Sequence, residues 1–287
     1  MPVRLSIGQI RRSGQRYFLT RYCEAKQMKL ASWNINSVRL RQNLVLDKLE
    51  GLGLDVLCLQ ETKTEDQFFP IDAFAEAGWP HIAMRGEKSY NGVAIISRLP
   101  ITENSYQNWT GRTDCRHISA RINGQTIHNF YVPAGGDEPD RTINPKFGHK
   151  LDFLDEMTAH FIANPPQSSI LVGDLNIAPL EADVWSSRQL RNVVSHTDIE
   201  REKLLNLIEA GGWIDAVRHH YGTEEILYSW WSYRARDWQS SNRGRRLDHI
   251  WVSADNQEKI AKIHIDTPTR GAEKPSDHVP LIIELAS

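Results

Sequence analysis

Cysteine is scarce in this chain: three residues, Cys23, Cys58 and Cys115, an odd number with no closely spaced pair. That argues against a disulfide framework and gives no sign of structural zinc, so a reducing, cytoplasmic setting is expected. Long apolar runs are missing too. No uninterrupted stretch approaches the roughly 18 residues of a membrane span, and the amino terminus has no apolar core of the kind a secretory signal carries. No internal repeat, low-complexity linker or composition shift divides the body. Nor is there a large excess of either charge, the net being −2. The balance is uneven, because Arg4, Arg11, Arg12, Arg16, Arg21 and Lys26 face only Glu24 within residues 1–27, a local +5 that leaves the remainder at −7. An acidic body argues against indiscriminate binding to polyanions, though not against a local basic groove.

With 40% hydrophobic and 24% charged residues over 287 positions, the chain can build a core without covalent staples. Residues 1–27 show no sustained period. They read as a loosely ordered or misassigned start ahead of Met28, as a nucleic-acid or partner-binding arm, or as an Arg-rich transit peptide. Residues 28–287 read as one folded body. Strands are expected at LASWN, DVLCLQ, GVAIIS, HISARI, TIHNFYV, SILVG, DHIWVS and VPLIIEL. Helices are expected at RLRQNLVLDKLEGLG, PIDAFAEAG, FGHKLDFLDEMTAHFIAN and DIEREKLLNLIEAGG, several closing on Gly or Asn as left-handed caps.

The polar residues gather at strand ends. Asn34 and Asn36 follow LASW, Glu61 follows DVLCLQ, Tyr131 stands near the end of TIHNFYV, and Asp174 with Asn176 follows SILVG. Asp248 and His249 precede IWVS, while Asp277 and His278 precede VPLIIEL. In a mixed sheet the carboxyl ends of some strands meet the amino ends of others, so all six groups can share one edge. Taken singly each has an ordinary reading: GDLN as a turn, Glu61 as a helix cap, Tyr131 as a strand aromatic.

Their joint chemistry is less ordinary. Asn34, Glu61, Asp174, Asn176 and Asp277 are oxygen donors with no thiolate among them, a set suited to Mg²⁺ or Mn²⁺ rather than zinc. A hard cation beside one His and one Tyr suits phosphoryl chemistry, which needs a positioned water and neutralisation of charge on phosphate oxygens. Asp248 can orient His278; His278, Asn176 and Tyr131 can donate to phosphate; Asp174 can move the proton of the water or leaving group.

The stretch YSWWSYRARDWQSSNRGRRLDH, residues 228–249, interleaves Trp230, Trp231, Tyr233 and Trp238 with Arg234, Arg236, Arg243, Arg245 and Arg246. Aromatic faces beside cations suit nucleic-acid stacking and phosphate contact. The stretch reads as a substrate-facing loop, with Trp230 its expected core anchor.

LASWNINSVR, LQETK, YNGVAIIS, FYVP, KLDFLDEM, GDLNIAP, SWWSYR, NRGRRLDHIWVS and KPSDHVP occur in this order. From Met28 onward the chain thereby resembles the exonuclease III and apurinic/apyrimidinic (AP) endonuclease branch of the endonuclease/exonuclease/phosphatase superfamily. The resemblance implies a four-layer α/β sandwich of two packed mixed β-sheets flanked by helices. It implies catalytic roles for Tyr131, Asp174, Asn176, Asp248 and His278, and a metal site drawn from Asn34, Glu61, Asp174, Asn176, Asp277 and His278. DNA contacts are expected at Asn36, Arg112, Trp231, Tyr233, Arg234, Trp238, Arg243 and Leu247, with Trp238 and Leu247 walling a pocket for a base-free sugar.

The implied protein is a Mg²⁺- or Mn²⁺-dependent DNA repair nuclease, monomeric and without a membrane partner. It would cut duplex DNA 5′ to abasic sites and trim blocked 3′ ends. The family pattern leaves open the number of metal ions and whether Asp174 or the Asp248–His278 pair handles the water. Two positions depart from that pattern: Ala134, where a polar amide commonly touches phosphate, and Ser232, where many relatives have an acid. Backbone N–H groups of Gly135 or Gly136 could replace the first contact. A phosphodiesterase of the same superfamily acting on a small-molecule or lipid phosphate would share the metal and His residues, and only the 228–249 loop separates the two readings. A catalytically silent DNA-binding protein would have lost an acid or the His, and none is missing.

Overall fold

The computed structural model describes residues 27–235 and 237–286. Residues 1–26 of the expected basic extension, and Arg236 of the expected substrate loop, lie outside them. The described residues contain twelve strands: β1 (Met28–Asn34), β2 (Val56–Gln60), β3 (His81–Glu87), β4 (Tyr90–Ser97), β5 (Ile101–Ser105), β6 (His117–Ile122), β7 (Gln125–Tyr131), β8 (Ser169–Asp174), β9 (Trp213–Asp215), β10 (Asp248–Ser253), β11 (Ile260–Ile265) and β12 (Leu281–Leu285). They form two six-stranded sheets, in the orders β11-β12-β1-β2-β4-β3 and β5-β6-β7-β8-β10-β9. Each holds one parallel pair at its centre, β1 with β2 and β7 with β8.

The central strands explain their own sequences. VLCLQ of β2 and SILVGD of β8 are buried at every position, as strands covered on both faces must be, so their apolar residues run on rather than alternate. Leu30, Val56, Cys58, Val93 and Ile283 of the first sheet meet Ile118, Ile127, Ile170, Val172 and Ile250 of the second in the middle of the molecule. On the far side of the first sheet, Trp33, Leu57 and Ile96 pack against Val45, Leu49 and Phe74 from helices Gln42–Gly51 and Ile71–Glu76. On the far side of the second, Phe130, Leu171 and Trp251 pack against Phe153, Met157, Leu204 and Leu207 from helices Pro145–Ala163 and Asp198–Ala210. The result is the four-layer α/β sandwich, helix–sheet–sheet–helix.

All eight expected strands and four expected helices are present, with small shifts of their ends. Strands β3, β5, β9 and β11 come in addition. Left-handed residues do close three of the helices, at Gly53, Gly78 and Gly212, but Asn164 corrects the expectation: its φ is −130° and its N–H simply continues to His160 O. No helix among the described residues is long and apolar enough to cross a membrane.

Behind the functional edge the two sheets are pinned together by buried amides. Gln60 on β2 donates to Asn129 Oδ1 on β7 at 2.7 Å, and Asn129 returns hydrogen bonds to Leu59 O and Ala94 O. Gln60 immediately precedes Glu61, and Asn129 shares its face of β7 with Tyr131. The spacing between the sheets is therefore fixed one step from the residues that need it.

Candidate active site

The carboxyl ends of β1, β2, β7 and β8 and the amino ends of β10 and β12 do meet at one edge. Across the second sheet Tyr131, Asp174 and Asp248 form a single row, Asp174 being the register partner of both others. Gly173, one step earlier, lets β7 and β8 approach: a Cβ there would stand 1.9 Å from Phe130 O. In the first sheet Asn34 pairs with Gln60, and Ser276 hands the Asp277–His278 turn to it by donating to Asn34 O at 2.6 Å. Left-handed backbone occurs at three of these strand ends. Asn36, Glu61 and Asn176 take left-handed φ values of 49°, 49° and 56°, conformations that cost energy for residues other than glycine and cluster at functional sites.

Two groups of side chains result. In the first, Asn34 Nδ2 donates to Glu61 Oε1 and to Asp174 Oδ2, both at 2.8 Å. Tyr131 Oη donates to the same Glu61 oxygen at 2.9 Å, and Lys63 Nζ lies 2.7 Å from the other. In the second, Asp248 Oδ2 accepts from His278 Nδ1 at 2.8 Å and from Ser229 Oγ at 2.6 Å. His278 Nε2 faces Asp174 Oδ2 at 3.7 Å, which joins the groups. Asn176 completes the edge, its N–H on Asp174 Oδ1 at 2.9 Å and its amide nitrogen 3.2 Å from Asp174 Oδ2.

Burial shapes the charges. It pushes the Asp174 carboxyl up, to about 7, against the pull of His278 and the Asn34 hydrogen bond, with Asp248 and Glu61 pushing the same way as burial. Burial would lower His278, but the Asp248 and Asp174 carboxylates outweigh it and raise the imidazole to about 10. His278 is thus an imidazolium held between two acids, and Asp174 the carboxyl that exchanges a proton near neutrality. Glu61, pushed up by burial, ends below its usual range because of Lys63 and Asn34. Tyr131 is raised by burial and by Glu61, so its phenol keeps its proton.

A divalent cation fits this edge on the chemistry of its donors. Glu61, Asp174 and Asp248 supply carboxylate oxygens without a thiolate, and Asp248 Oδ1 is buried with no hydrogen-bond partner. His278 lies within 4.8 Å of Asp174 and Asp248, but as an imidazolium it has no lone pair for a cation. Three members of the expected ligand set are otherwise engaged. Asn34 and Asn176 turn amide nitrogens, not oxygens, toward the carboxylates. Asp277 accepts from Asn36 at 3.3 Å and from Trp230 Nε1 at 3.0 Å.

The expected substrate loop divides. Tyr233 is 48% exposed, Arg112, Arg234 and Arg243 are exposed and Trp238 is half-buried, so all five remain free to meet a ligand. Arg243 stacks over Trp185 at 4.7 Å. Trp231 does not remain free. It is 3% exposed, beneath Trp238 and with its indole N–H on Asn242, so the core anchor is Trp231 and not Trp230, which is half-buried and holds Asp277. Leu247 packs with Ala178, Val184 and Leu190 beside Trp185 and Trp230; Trp238 is not part of that cluster. Arg246 is fully buried, ion-paired to Asp183 and Asp215, and Arg245 is tied to Val194 O and Ser195 Oγ. These two arginines hold the loop rather than a phosphate.

Sequence reading missed Lys150. Fully buried and paired with Glu200, its Nζ donates to Asn176 O at 2.8 Å and Ala134 O at 3.3 Å, carrying the GDLN turn from below. The signals were a lysine on the apolar face of FGHKLDFLDEM and the Thr197–Glu200 capping box.

The chain also matches proteins of a known family. The model of the endonuclease/exonuclease/phosphatase family matches residues 31–278. The chain belongs to that family. Within the family it is 30% identical over 257 residues to the exodeoxyribonuclease of Bacillus subtilis (strain 168), covering 88% of this chain and 98% of that protein. The AP endonuclease of Archaeoglobus fulgidus superposes with a TM-score of 0.85 at 31% identity, covering 91% of this chain and all of the other. A 3′ phosphatase from Neisseria, solved with product DNA hairpin, gives 0.83 at 31% identity, covering 90% and 99%. The chain is accordingly an enzyme of the exodeoxyribonuclease III and AP endonuclease type, a phosphodiesterase of a metal-dependent family.

Proposed function

We propose that this protein is a DNA repair nuclease, dependent on Mg²⁺ or Mn²⁺, that hydrolyses the phosphodiester on the 5′ side of an abasic site in duplex DNA and trims blocked 3′ ends. The observation that carries the proposal is the 3.7 Å approach of His278 to Asp174, with Asp248 behind the imidazole and Tyr131, Asn176 and Glu61 around it. The relatives support the substrate class: they bear the names exodeoxyribonuclease, AP endonuclease and 3′ phosphatase.

Water attacks phosphorus, the P–O3′ bond breaks, and the departing oxygen ends with a proton from solvent. Asp174 accepts the proton of the attacking water, since it is the carboxyl whose affinity lies near neutrality. His278, an imidazolium oriented by Asp248, donates from Nε2 to a non-bridging phosphate oxygen. Asn176 and Tyr131 are further donors, Tyr131 at the end of β7 and Asn176 two residues beyond β8, so the sheet holds both in place. Bound at Glu61 and the neighbouring acids, a divalent cation would supply stabilisation of the charge that builds on the phosphate and leaving oxygen. Selection of an abasic nucleotide would follow from extrusion of a sugar that carries no base toward the apolar cluster of Leu247, Trp185 and Trp230.

The test is incision of a labelled duplex bearing one tetrahydrofuran abasic analogue, beside a matched duplex without the lesion and a duplex with a 3′-terminal phosphate. Cutting 5′ of the lesion and release of the terminal phosphate are expected. A preference for a small-molecule phosphodiester over all three duplexes would contradict the proposal.

A further inference from the structure

Outside the catalytic groups, one buried cation makes an unusual set of contacts. Arg41, the residue before helix Gln42–Gly51, is 8% exposed. Its Nε donates to Lys274 O at 2.9 Å, Nη2 donates to Pro275 O at 2.9 Å and to Tyr233 Oη at 2.8 Å, and Nη1 donates to Asn36 O. All four acceptors are neutral oxygens. They belong to three loops: the turn after β1, the substrate-facing stretch, and the segment that ends on His278. Two of the residues it holds, Asn36 and Lys274, have left-handed φ values of 49° and 48°.

Burying a guanidinium on neutral acceptors costs desolvation that no opposite charge offsets within this set. A planar fork with five donors is the one side chain that can bind these oxygens at once. The segment it grips is short and stiff. From Pro275 the chain passes through Ser276, bonded to Asn34 O, to Asp277, whose carbonyl accepts from Trp231 N at 2.9 Å, and then to His278. At the other end Tyr233 donates to Pro275 O at 2.9 Å and lies with its ring 5.2 Å below Arg270.

We propose that Arg41 is a positioning residue that sets His278 and the exposed Tyr233 in one register, so that a substrate strand lying on Tyr233 presents its phosphate to His278. The proposal rests on the nuclease reading above and adds to it a link between substrate engagement and placement of the imidazole. Displacement of a catalytic group by about 1 Å costs on the order of 100-fold in rate.

The experiment uses the full chain loaded with Mg²⁺ and compares wild type, Arg41→Lys, Arg41→Ala, Tyr233→Phe and the Arg41→Lys/Tyr233→Phe double variant. Wild-type turnover on abasic duplex and on bis(p-nitrophenyl) phosphate decides the nuclease reading separately; the variants are read on whichever diester the wild type cuts. Arg41→Lys is expected to lower kcat roughly 10- to 100-fold at nearly unchanged thermal midpoint, because an ammonium cannot replace the fork. Methylguanidinium is expected to restore part of the loss in Arg41→Ala and to leave wild type unaffected. Tyr233→Phe should lower kcat less, and the double variant should lose less than the product of the single losses, as for residues acting in one linkage. Wild-type kcat in Arg41→Lys, absence of methylguanidinium rescue, or fully multiplicative losses would each overturn the proposal. Should Arg41→Ala fail to fold, Arg41→Lys and the double-variant comparison decide it.

Discussion

Asn34 and Asp174 stand on different sheets, and the amide nitrogen of the first donates to a carboxylate oxygen of the second at 2.8 Å. The same nitrogen donates to Glu61. One buried amide thus holds the carboxylate assigned to the cation against the carboxylate assigned to proton transfer, across the seam between the sheets.

Replacing Asn34 by Ala should therefore lower turnover by roughly 100-fold, since both acids lose a fixed neighbour. Asn34→Asp should do worse, because a third carboxylate would sit against two others. Steady-state kinetics alongside a thermal melt checks the pair; equal, near-normal rates would show that the bridge has no part in catalysis.

Asp174→Asn keeps the shape of the side chain, His278→Asn puts a smaller neutral amide in place of the ring, and each removes the proton chemistry. Each is expected to reduce kcat by about 1,000-fold or more with circular dichroism unchanged. Near-normal activity in either variant would remove the role assigned to it.

A third prediction concerns stability below neutrality. His117 and His128 stack with ring centroids 5.6 Å apart among Trp109, Phe130 and Phe161. Burial first, and His160 second, bring His128 down from 6.5 to about 4, and burial lowers His117 as well. Between pH 6.5 and about 4 the unfolded chain binds the proton that folded His128 refuses, so stability falls as pH drops through that window and the loss levels off below it. Urea unfolding at pH 7, 6 and 5 should show the fall in wild type and a shallower slope in His128→Phe; identical midpoints at pH 7 and 5 would refute it.

Asp183 offers a stability test remote from the chemistry. It is buried, receives Arg246 and Arg218, and is held down to about 2 by those guanidinium groups against the opposing effect of burial. Asp183→Ala leaves Arg246 with Asp215 alone and should cost about 3–5 kcal/mol of unfolding free energy. A change below 1 kcal/mol in denaturant titration would show that Asp215 suffices.

Much of this was legible in the sequence, for identifiable reasons. Strands buried on both faces announce themselves as apolar runs, and the polar residues that interrupt them at one end, Asn34, Glu61, Asp174 and Asp248, have no packing reason to be there. The residues that escaped notice are those whose meaning depends on distant partners. ITENS of β5 is exposed at four of its five positions, so an edge strand shows no apolar pattern. Arg246 lay within a run of arginines, and only its approach to Asp183, 63 residues away, reveals a buried ion pair. Trp230 and Trp231 are adjacent and chemically equal; which of them faces the interior is decided by Asn242 and Asp277, not by anything in SWWSYR.

The most direct test of the central claim is cleavage of a duplex with a single abasic analogue by the purified protein, with Mg²⁺ and then with excess EDTA. One cut immediately 5′ of the lesion is expected, lost with EDTA, restored by added Mg²⁺, and absent in His278→Asn. Folded, Mg²⁺-loaded protein that leaves the lesion strand intact while hydrolysing a small phosphodiester would contradict that claim.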